Sequence, residues 1–248
     1  MSTEEESRAR VAIVTGGSGG IGSDVSRRLA ADGMAVVVHY AGSVDRAQAV
    51  VDDITAAGGH AIALGADVAD EGTVAALFDS VEQTYGGVDV VVNTAGIMLL
   101  SPLVDLDLAD LDRMHHTNIR GTFVVSQQAA RRLRAGGALI NFSSSVVKIA
   151  LPGYTAYAAT KGAVDALTLI LAKELSGRDV TVNAVAPGPT ATRLFLDGKD
   201  EDAVGRLASL APLQRLGTPD DIAETVSFLA GPARWVNGQV IYANGGVI

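Results

Sequence analysis

The sequence contains no cysteine, which excludes a disulfide framework, a thiolate nucleophile and any metal site built on Cys. Histidine is scarce, at four, and the adjacent His115 and His116 fall on different faces of a helix, so no metal is expected. No run of 18 or more apolar residues occurs, so no membrane-spanning helix is expected. Positive charge is also short: 19 Lys and Arg against 28 Asp and Glu leave a net charge of −9. Nucleic acids and anionic membranes reward clustered cations, so neither is an expected partner. The opening MSTEEESRAR is acidic and polar where a secretory leader is basic and then apolar. The expectation is a soluble cytoplasmic protein with a short disordered leader over residues 1–9. Internal repeats, low-complexity segments and Pro/Gly/Ser linkers are absent as well, so residues 10–248 are expected to form a single domain.

What is present is a regular alternation. Apolar runs rich in Val, Ile and Ala lie at 11–15, 35–40, 60–67, 88–96, 138–145, 180–188 and 239–246. Segments of helical period lie between them, near 21–32, 44–57, 70–85, 106–134, 156–175 and 218–230. Continuous apolar strands separated by helices imply a parallel sheet covered on both faces. The expected fold is therefore α/β, a doubly wound parallel sheet of about seven strands, with ligands at the carboxyl ends of the strands. The one long irregular stretch, residues 188–217, is expected to be a functional lid.

Two stretches carry chemistry. After the first strand comes TGGSGGIG, a glycine-rich turn that opens a helix. Glycines let the backbone approach a pyrophosphate, and the helix N-terminus offers free N–H groups and partial positive charge to it. The turn reads equally as Gly17, Gly19 and Gly22 or as Gly16, Gly20 and Gly22. In YTAYAATKGAV, Tyr157 and Lys161 are four residues apart at the opening of a helix, which brings a phenol and an ammonium to one face.

Together with NTAG (93–96), TNIRG (117–121), NFSSS (141–145), YAATK (157–161) and NAVAPGPTAT (183–192), the glycine turn resembles the short-chain dehydrogenase/reductase family. The likeness extends from about residue 10 to the C-terminus and is strongest to the branch of 3-oxoacyl-acyl-carrier-protein reductases. It implies a Rossmann-type domain holding a nicotinamide cofactor beside a substrate. It also implies a tetrad: Tyr157 as proton donor and acceptor, Lys161 as its partner, Ser144 as donor to the substrate oxygen, and Asn118 holding a water that links Lys161 to solvent. Around the cofactor it implies Gly16, Ser18, Gly20, Ile21 and Gly22 at the phosphates, and Tyr40, Ala41 and Ser43 after the second strand. Asp67, Val68, Asn93, Ala95 and Gly96 are implied on the adenosine side, and Pro187, Gly188, Thr190 and Thr192 at the nicotinamide carboxamide. Thr94 departs from the family's usual second asparagine, which withdraws one supporting hydrogen bond.

The chemistry shows why a phenol needs help. Bringing a tyrosine from a pKa of ~10 to ~7 requires about 4 kcal/mol of preference for the phenolate. An ammonium ~4 Å away under an effective dielectric of ~20 supplies about that much, and an exposed pair does not. Lys161 is thus expected to lower Tyr157 where the pair lies in a water-poor cleft beside the oxidised cofactor.

The cofactor expected is NADP, with NAD as a possible alternative. A carboxylate that would repel a 2′-phosphate is missing from Val36 through Val44, and Ser43 and Arg46 stand nearby. The apolar segments 96–100, 145–154 and 190–210 favour a ketone or acyl group as the small-molecule substrate. Arg131, Arg132, Arg134 and Arg178 read as a landing site for an anionic carrier, the first three alternatively as helix-ending cations. Reduction of a ketone or 3-oxoacyl group is the leading reading. The alternatives are an alcohol or polyol dehydrogenase and a non-catalytic cofactor sensor. The apolar helix 156–175 and the C-terminal segment from Trp235 suggest a homotetramer.

Overall fold

The structure, a computed structural model, describes residues 9–248; the expected leader lies, but for Ala9, outside them. Among the described residues the apolar runs form seven strands: β1 (Val11–Thr15), β2 (Ala35–Tyr40), β3 (His60–Gly65), β4 (Val88–Asn93), β5 (Leu133–Phe142), β6 (Thr181–Pro187) and β7 (Val240–Ala243). All pair in parallel in the order β3-β2-β1-β4-β5-β6-β7.

Alternate residues of each strand face two separate apolar layers. Ala12 and Val14 pack with Val25 and Leu29 of α1 (Gly20–Ala31), Val50 and Ile54 of α2 (Val44–Ala56) and Val226 and Leu229 of the C-terminal helix 219–230. Val11 and Ile13 pack on the other side with Leu77 and Phe78 of α3 (Glu71–Tyr85) and Val125 of the helix 121–132. Full burial of each such side chain contributes about 1.5–3 kcal/mol, which is why these strands read as unbroken apolar runs.

Four expectations change. The single helix over 106–134 is instead a 3-10 turn at Leu103–Asp105, α4 (Leu108–Met114), a π-helical turn (His115–Arg120) and α5 (Gly121–Arg132). Gly121 lets the helix lie against Val68, since a Cβ there would fall 2.7 Å from that side chain. β5 begins at Leu133, five residues before the expected 138, and its register against β4 shifts between Val88 and Val90. Most strands also end earlier than expected, and the residues beyond them form the loops of the site. The 188–217 stretch is not irregular throughout. It holds two short helices, α8 (Arg193–Leu196) and α9 (Glu201–Ala208), and a bridge between Thr190 and Gly217 closes its base.

The remaining helices are α6 (Val146–Ile149), α7 (Thr155–Glu174) and α10 (Pro219–Ala230), the last started by a Thr218/Asp221 capping box. Several large apolar side chains lie on the surface: Phe123 of α5, Leu169 and Ile170 of α7, Phe228 of α10, and the fully exposed Trp235. Among the described residues no helix is long and apolar enough to cross a membrane, and no cluster of three His, Asp or Glu is placed to hold a metal.

Candidate active site

The strand order reverses between β1 and β4, and at their carboxyl ends a cleft of about 490 Å³ opens. Its floor is the glycine turn. Gly16 and Gly20 have φ of 65° and 52°, and a Cβ on Gly22 would fall 2.3 Å from the Gly16 carbonyl oxygen, so α1 packs directly on the turn. The other face of the turn is open: a Cβ on Gly19 would meet only the Arg46 guanidinium, and one on Gly20 only Thr192, each at 3.9 Å. The α1 N-cap, Gly19, makes no side-chain hydrogen bond, whereas α2, α3 and α10 are capped by Ser43, Asp70 and Thr218. Uncapped N–H groups above open space fit a pyrophosphate, and the residues present therefore fit the dinucleotide that the family resemblance implies.

His39 anchors this turn, a role the sequence reading missed. The Gly16 N–H donates to His39 Nδ1 at 3.1 Å, so Nε2 carries the proton and donates to the Ala66 carbonyl at 3.0 Å. Burial holds the imidazole below its ordinary pKa. A buried histidine inside an apolar strand gives no local sign of these partners.

Beside the turn, Thr15 Oγ1 donates to Asn93 Oδ1 at 2.7 Å and accepts from the Ala95 N–H at 3.2 Å. Asn93 thus ties its Oδ1 to β1, and it does not line the cleft. The Thr94 hydroxyl donates to the Thr15 carbonyl, so the residue that departs from the family pattern makes its own tie between β1 and β4.

Ser144, Tyr157 and Lys161 converge on the far side. The Tyr157 phenol faces the Ser144 hydroxyl, while Ser145 Oγ donates to the Ala186 carbonyl at 3.0 Å and accepts from Asn244 at 3.2 Å. Only Ser144 of the three serines therefore meets the tyrosine. The Lys161 ammonium donates to the Phe142 carbonyl at 2.8 Å and lies 5.7 Å from the Tyr157 ring centre. Burial pushes the phenol up to about 12, partly offset by the Ser144 hydroxyl, and burial pulls Lys161 down to about 8 against the charge of Asp165. Desolvation is the largest influence on each group, and the charges acting beside it are those of Tyr154 on the phenol and Asp165 on the ammonium.

Asn118 sits in the π-helical turn, fully buried. Its Nδ2 donates to the Ile97 carbonyl at 2.8 Å and to Thr160 Oγ1 at 3.1 Å, and its Oδ1 accepts from the Ile97 N–H at 2.8 Å. The side chain therefore fixes the loop after β4, and one Oδ1 lone pair is all it has left for a water. A Cβ on Gly96 would stand 3.3 Å from that oxygen and 3.6 Å from Lys161 Nζ, so the glycine keeps the space between them open.

The structure brings Gly16, Ser18, Gly20, Ile21, Gly22, Ala95, Gly96, Ser144, Tyr157, Lys161, Pro187, Gly188, Thr190 and Thr192 to the cleft wall. Tyr40, Ala41, Ser43, Asp67, Val68, Asn93 and Asn118 lie outside it. Tyr40 stacks over Gly65, Ser43 caps α2, and Val68 is packed into the core. Asp67 is exposed, accepts from the Ala69 N–H at 2.9 Å and stands 3.4 Å from His116. The apolar part of the wall is Met98, Ile149, Leu151, Tyr154, Leu194 and Phe195, all from the three apolar segments singled out in the sequence. His115 is not among the cleft residues. Three of the four arginines are spent internally: Arg132 on Asp79 and Glu82, Arg134 on Asp89, and Arg178 on the Ala130 carbonyl.

Comparison with known proteins agrees with this geometry. Residues 16–248 match the family described as enoyl-(acyl carrier protein) reductase. A short-chain type dehydrogenase/reductase of Picea abies is 42% identical, over 96% of this chain and 92% of that protein. The 3-oxoacyl-[acyl-carrier-protein] reductase FabG of Staphylococcus aureus is 40% identical, over 95% and 97%. Among solved structures, a short chain dehydrogenase from Burkholderia cenocepacia in complex with NADP is 42% identical with a TM-score of 0.90, covering 96% of this chain and 97% of that one. A blue fluorescent protein from a metagenomic library, in complex with NADPH, is 40% identical with a TM-score of 0.89, covering 96% and 97%.

Proposed function

The chain belongs to the short-chain dehydrogenase/reductase family, and on that premise we propose that it is an NADP-dependent oxidoreductase that reduces a ketone or 3-oxoacyl group to a secondary alcohol. The observation that carries this reading is the pairing of Tyr157 with Ser144 inside a cleft floored by an open glycine turn. When bound, the nicotinamide supplies the hydride.

The chain's own groups handle the oxygen. Ser144 donates to the substrate carbonyl oxygen and orients it, and Tyr157 delivers the proton that the new alkoxide needs. The phenol is protonated at neutral pH, the form in which it can give its proton to the substrate oxygen. Lys161 uses one N–H on Phe142, lies over the Tyr157 ring, and keeps its other donors for the nicotinamide ribose. Asn118 acts from behind, fixing Ile97 and the loop that closes the cleft.

NADP is preferred because no carboxylate from Val36 through Val44 repels a 2′-phosphate and because Arg46 stands over Gly19. Structures of relatives in complex with NADP and NADPH support the same choice. The apolar wall from Met98 to Phe195 selects a ketone or acyl group over a sugar, and α8 and α9 form the lid above it. A homotetramer covers the exposed apolar residues of α5, α7, α10 and Trp235.

The test is cofactor absorbance with ketones, 3-oxoacyl thioesters, enoyl thioesters and secondary alcohols, each with NADPH and NADH. Reduction of a ketone or 3-oxoacyl thioester with NADPH is expected. Turnover of enoyl thioesters alone, or of no carbonyl substrate, refutes the reading.

A further inference from the structure

α7 carries a third polar side chain in line with Tyr157 and Lys161. Asp165 follows Lys161 by four residues and Tyr157 by eight, so the three share one side of the helix, about one turn apart. Apart from these, the middle of the helix is mostly apolar or small, AVDALTLILA, and a carboxylate there has no evident structural use.

Its surroundings make it stranger. Asp165 Oδ1 is buried and makes no well-formed hydrogen bond, and neither does the buried hydroxyl of Ser143, which stands against the carboxylate from the end of β5. A buried carboxylate oxygen faced only by a poorly aligned hydroxyl is costly and uncommon. The other groups that face it are Lys161 on its own helix, the exposed Lys148 of α6 and the Tyr242 phenol of β7. Burial raises the carboxyl's pKa, and the Ser143 hydroxyl and the two lysines act against that rise.

Lys161 needs such a neighbour. It is buried, its fixed partner is the neutral carbonyl of Phe142, and among the described residues it is in no salt bridge. The negative charge of Asp165 opposes the effect of that burial. A direct salt bridge would draw the ammonium out of the cleft and use its donors. A carboxylate one turn behind favours the charged form and leaves the donors free for ligand.

We propose that Asp165 is a positioning residue for the reaction, whose charge behind Lys161 keeps that lysine an ammonium aimed into the cleft. The proposal rests on the reductase reading given above, but its principal test does not depend on turnover.

The chain has four lysines, so protein labelled with 13C at lysine Cε gives few resonances, and Lys161→Arg identifies that of Lys161. In the free enzyme the titration midpoint of Lys161 is expected to fall by about one pH unit in Asp165→Asn, a tenfold loss of proton affinity. Asp165→Glu is expected to hold it within a few tenths of a unit. The small, polar Asp165→Ser gives the same fall as Asn and serves if the Asn variant does not fold. In turnover, the alkaline limb of kcat for NADPH-dependent reduction moves to lower pH with the Lys161 midpoint. A midpoint that stays in place in both Asn and Ser variants, with activity lowered evenly across pH, shows a merely structural aspartate and overturns the proposal. Wild-type protein that reduces no carbonyl sinks the reductase reading instead, and the titration in the free enzyme still decides the role of Asp165.

Discussion

Arg46→Ala is expected to weaken the use of NADPH and leave NADH nearly untouched. Arg46 lines the cleft in the first turn of α2, and its guanidinium is the side chain nearest the open face of Gly19. Its backbone N–H donates to Ser43 Oγ at 3.4 Å, and among the described residues its side chain is in no salt bridge. Truncation therefore leaves the start of α2 intact and removes only charge. Two unit charges ~4 Å apart gain about 1 kcal/mol in water and about 4 kcal/mol at an effective dielectric of ~20. Arg46 is exposed, so the lower end applies. A phosphate of roughly −1.5 to −2 charge raises that to about 1.5–2 kcal/mol, or about 10- to 30-fold in kcat/KM for NADPH. The assay is initial rate against NADPH and NADH at a fixed ketone concentration, at low and high salt. The gap between wild type and variant should narrow as salt rises. Ala41→Asp is the companion change: an exposed carboxylate after β2 restores the missing repulsion and should turn preference toward NADH. An equal loss for both cofactors in Arg46→Ala, or no change in the NADPH/NADH ratio in either variant, refutes the assignment of this loop to the 2′-phosphate.

Tyr157→Phe should lower kcat by ~10² or more while NADPH binding, read by fluorescence titration, stays nearly constant; retention of over half the rate would exclude the phenol as proton donor. Lys161→Ala should lose affinity for the cofactor as well as rate. For His39, burial depresses the folded-state pKa, so its contribution to stability is complete above about pH 6.5 and is lost as pH falls through the folded value, where the unfolded chain takes the proton first. Protonation also sets an N–H against the Gly16 N–H, so Tm should fall on acidification below about pH 6.5 more steeply in wild type than in His39→Asn; parallel curves would refute this. Light scattering at micromolar concentration should give a tetramer, and a monomer would leave Leu169, Ile170 and Phe228 unexplained.

The fold was legible because a parallel sheet buried on both faces leaves unbroken apolar runs, and because Asp70 and Thr218 mark their helix starts by local capping. The cleft residues were legible where function demands a residue type at a fixed spacing, as in Gly16 to Gly22 and Tyr157 to Lys161. What stayed hidden depends on contacts between distant segments. The break at 115–120 goes with Asn118 reaching Ile97, 21 residues away, and nothing in TNIRG announces that partner. His39 holds the glycine turn across 23 residues. The choice of Ser144 over its neighbours becomes physical only when Ser145 is seen tied to Ala186 and Asn244. The surroundings of Tyr157 and Lys161 were hidden for a related reason: spacing along a helix sets proximity, while the rest of the fold sets how far burial shifts each group.

Trp235 is the chain's single tryptophan and stands fully exposed after α10. An indole already in water in the folded protomer has little emission change left to give on unfolding, so tryptophan fluorescence is nearly blind to loss of the core. It is correspondingly sensitive to anything that covers that surface. A blue-shifted emission maximum in the native protein therefore reports a neighbour seated over Trp235, and dilution that returns the maximum to the red reads out dissociation of that neighbour while the Rossmann domain remains folded.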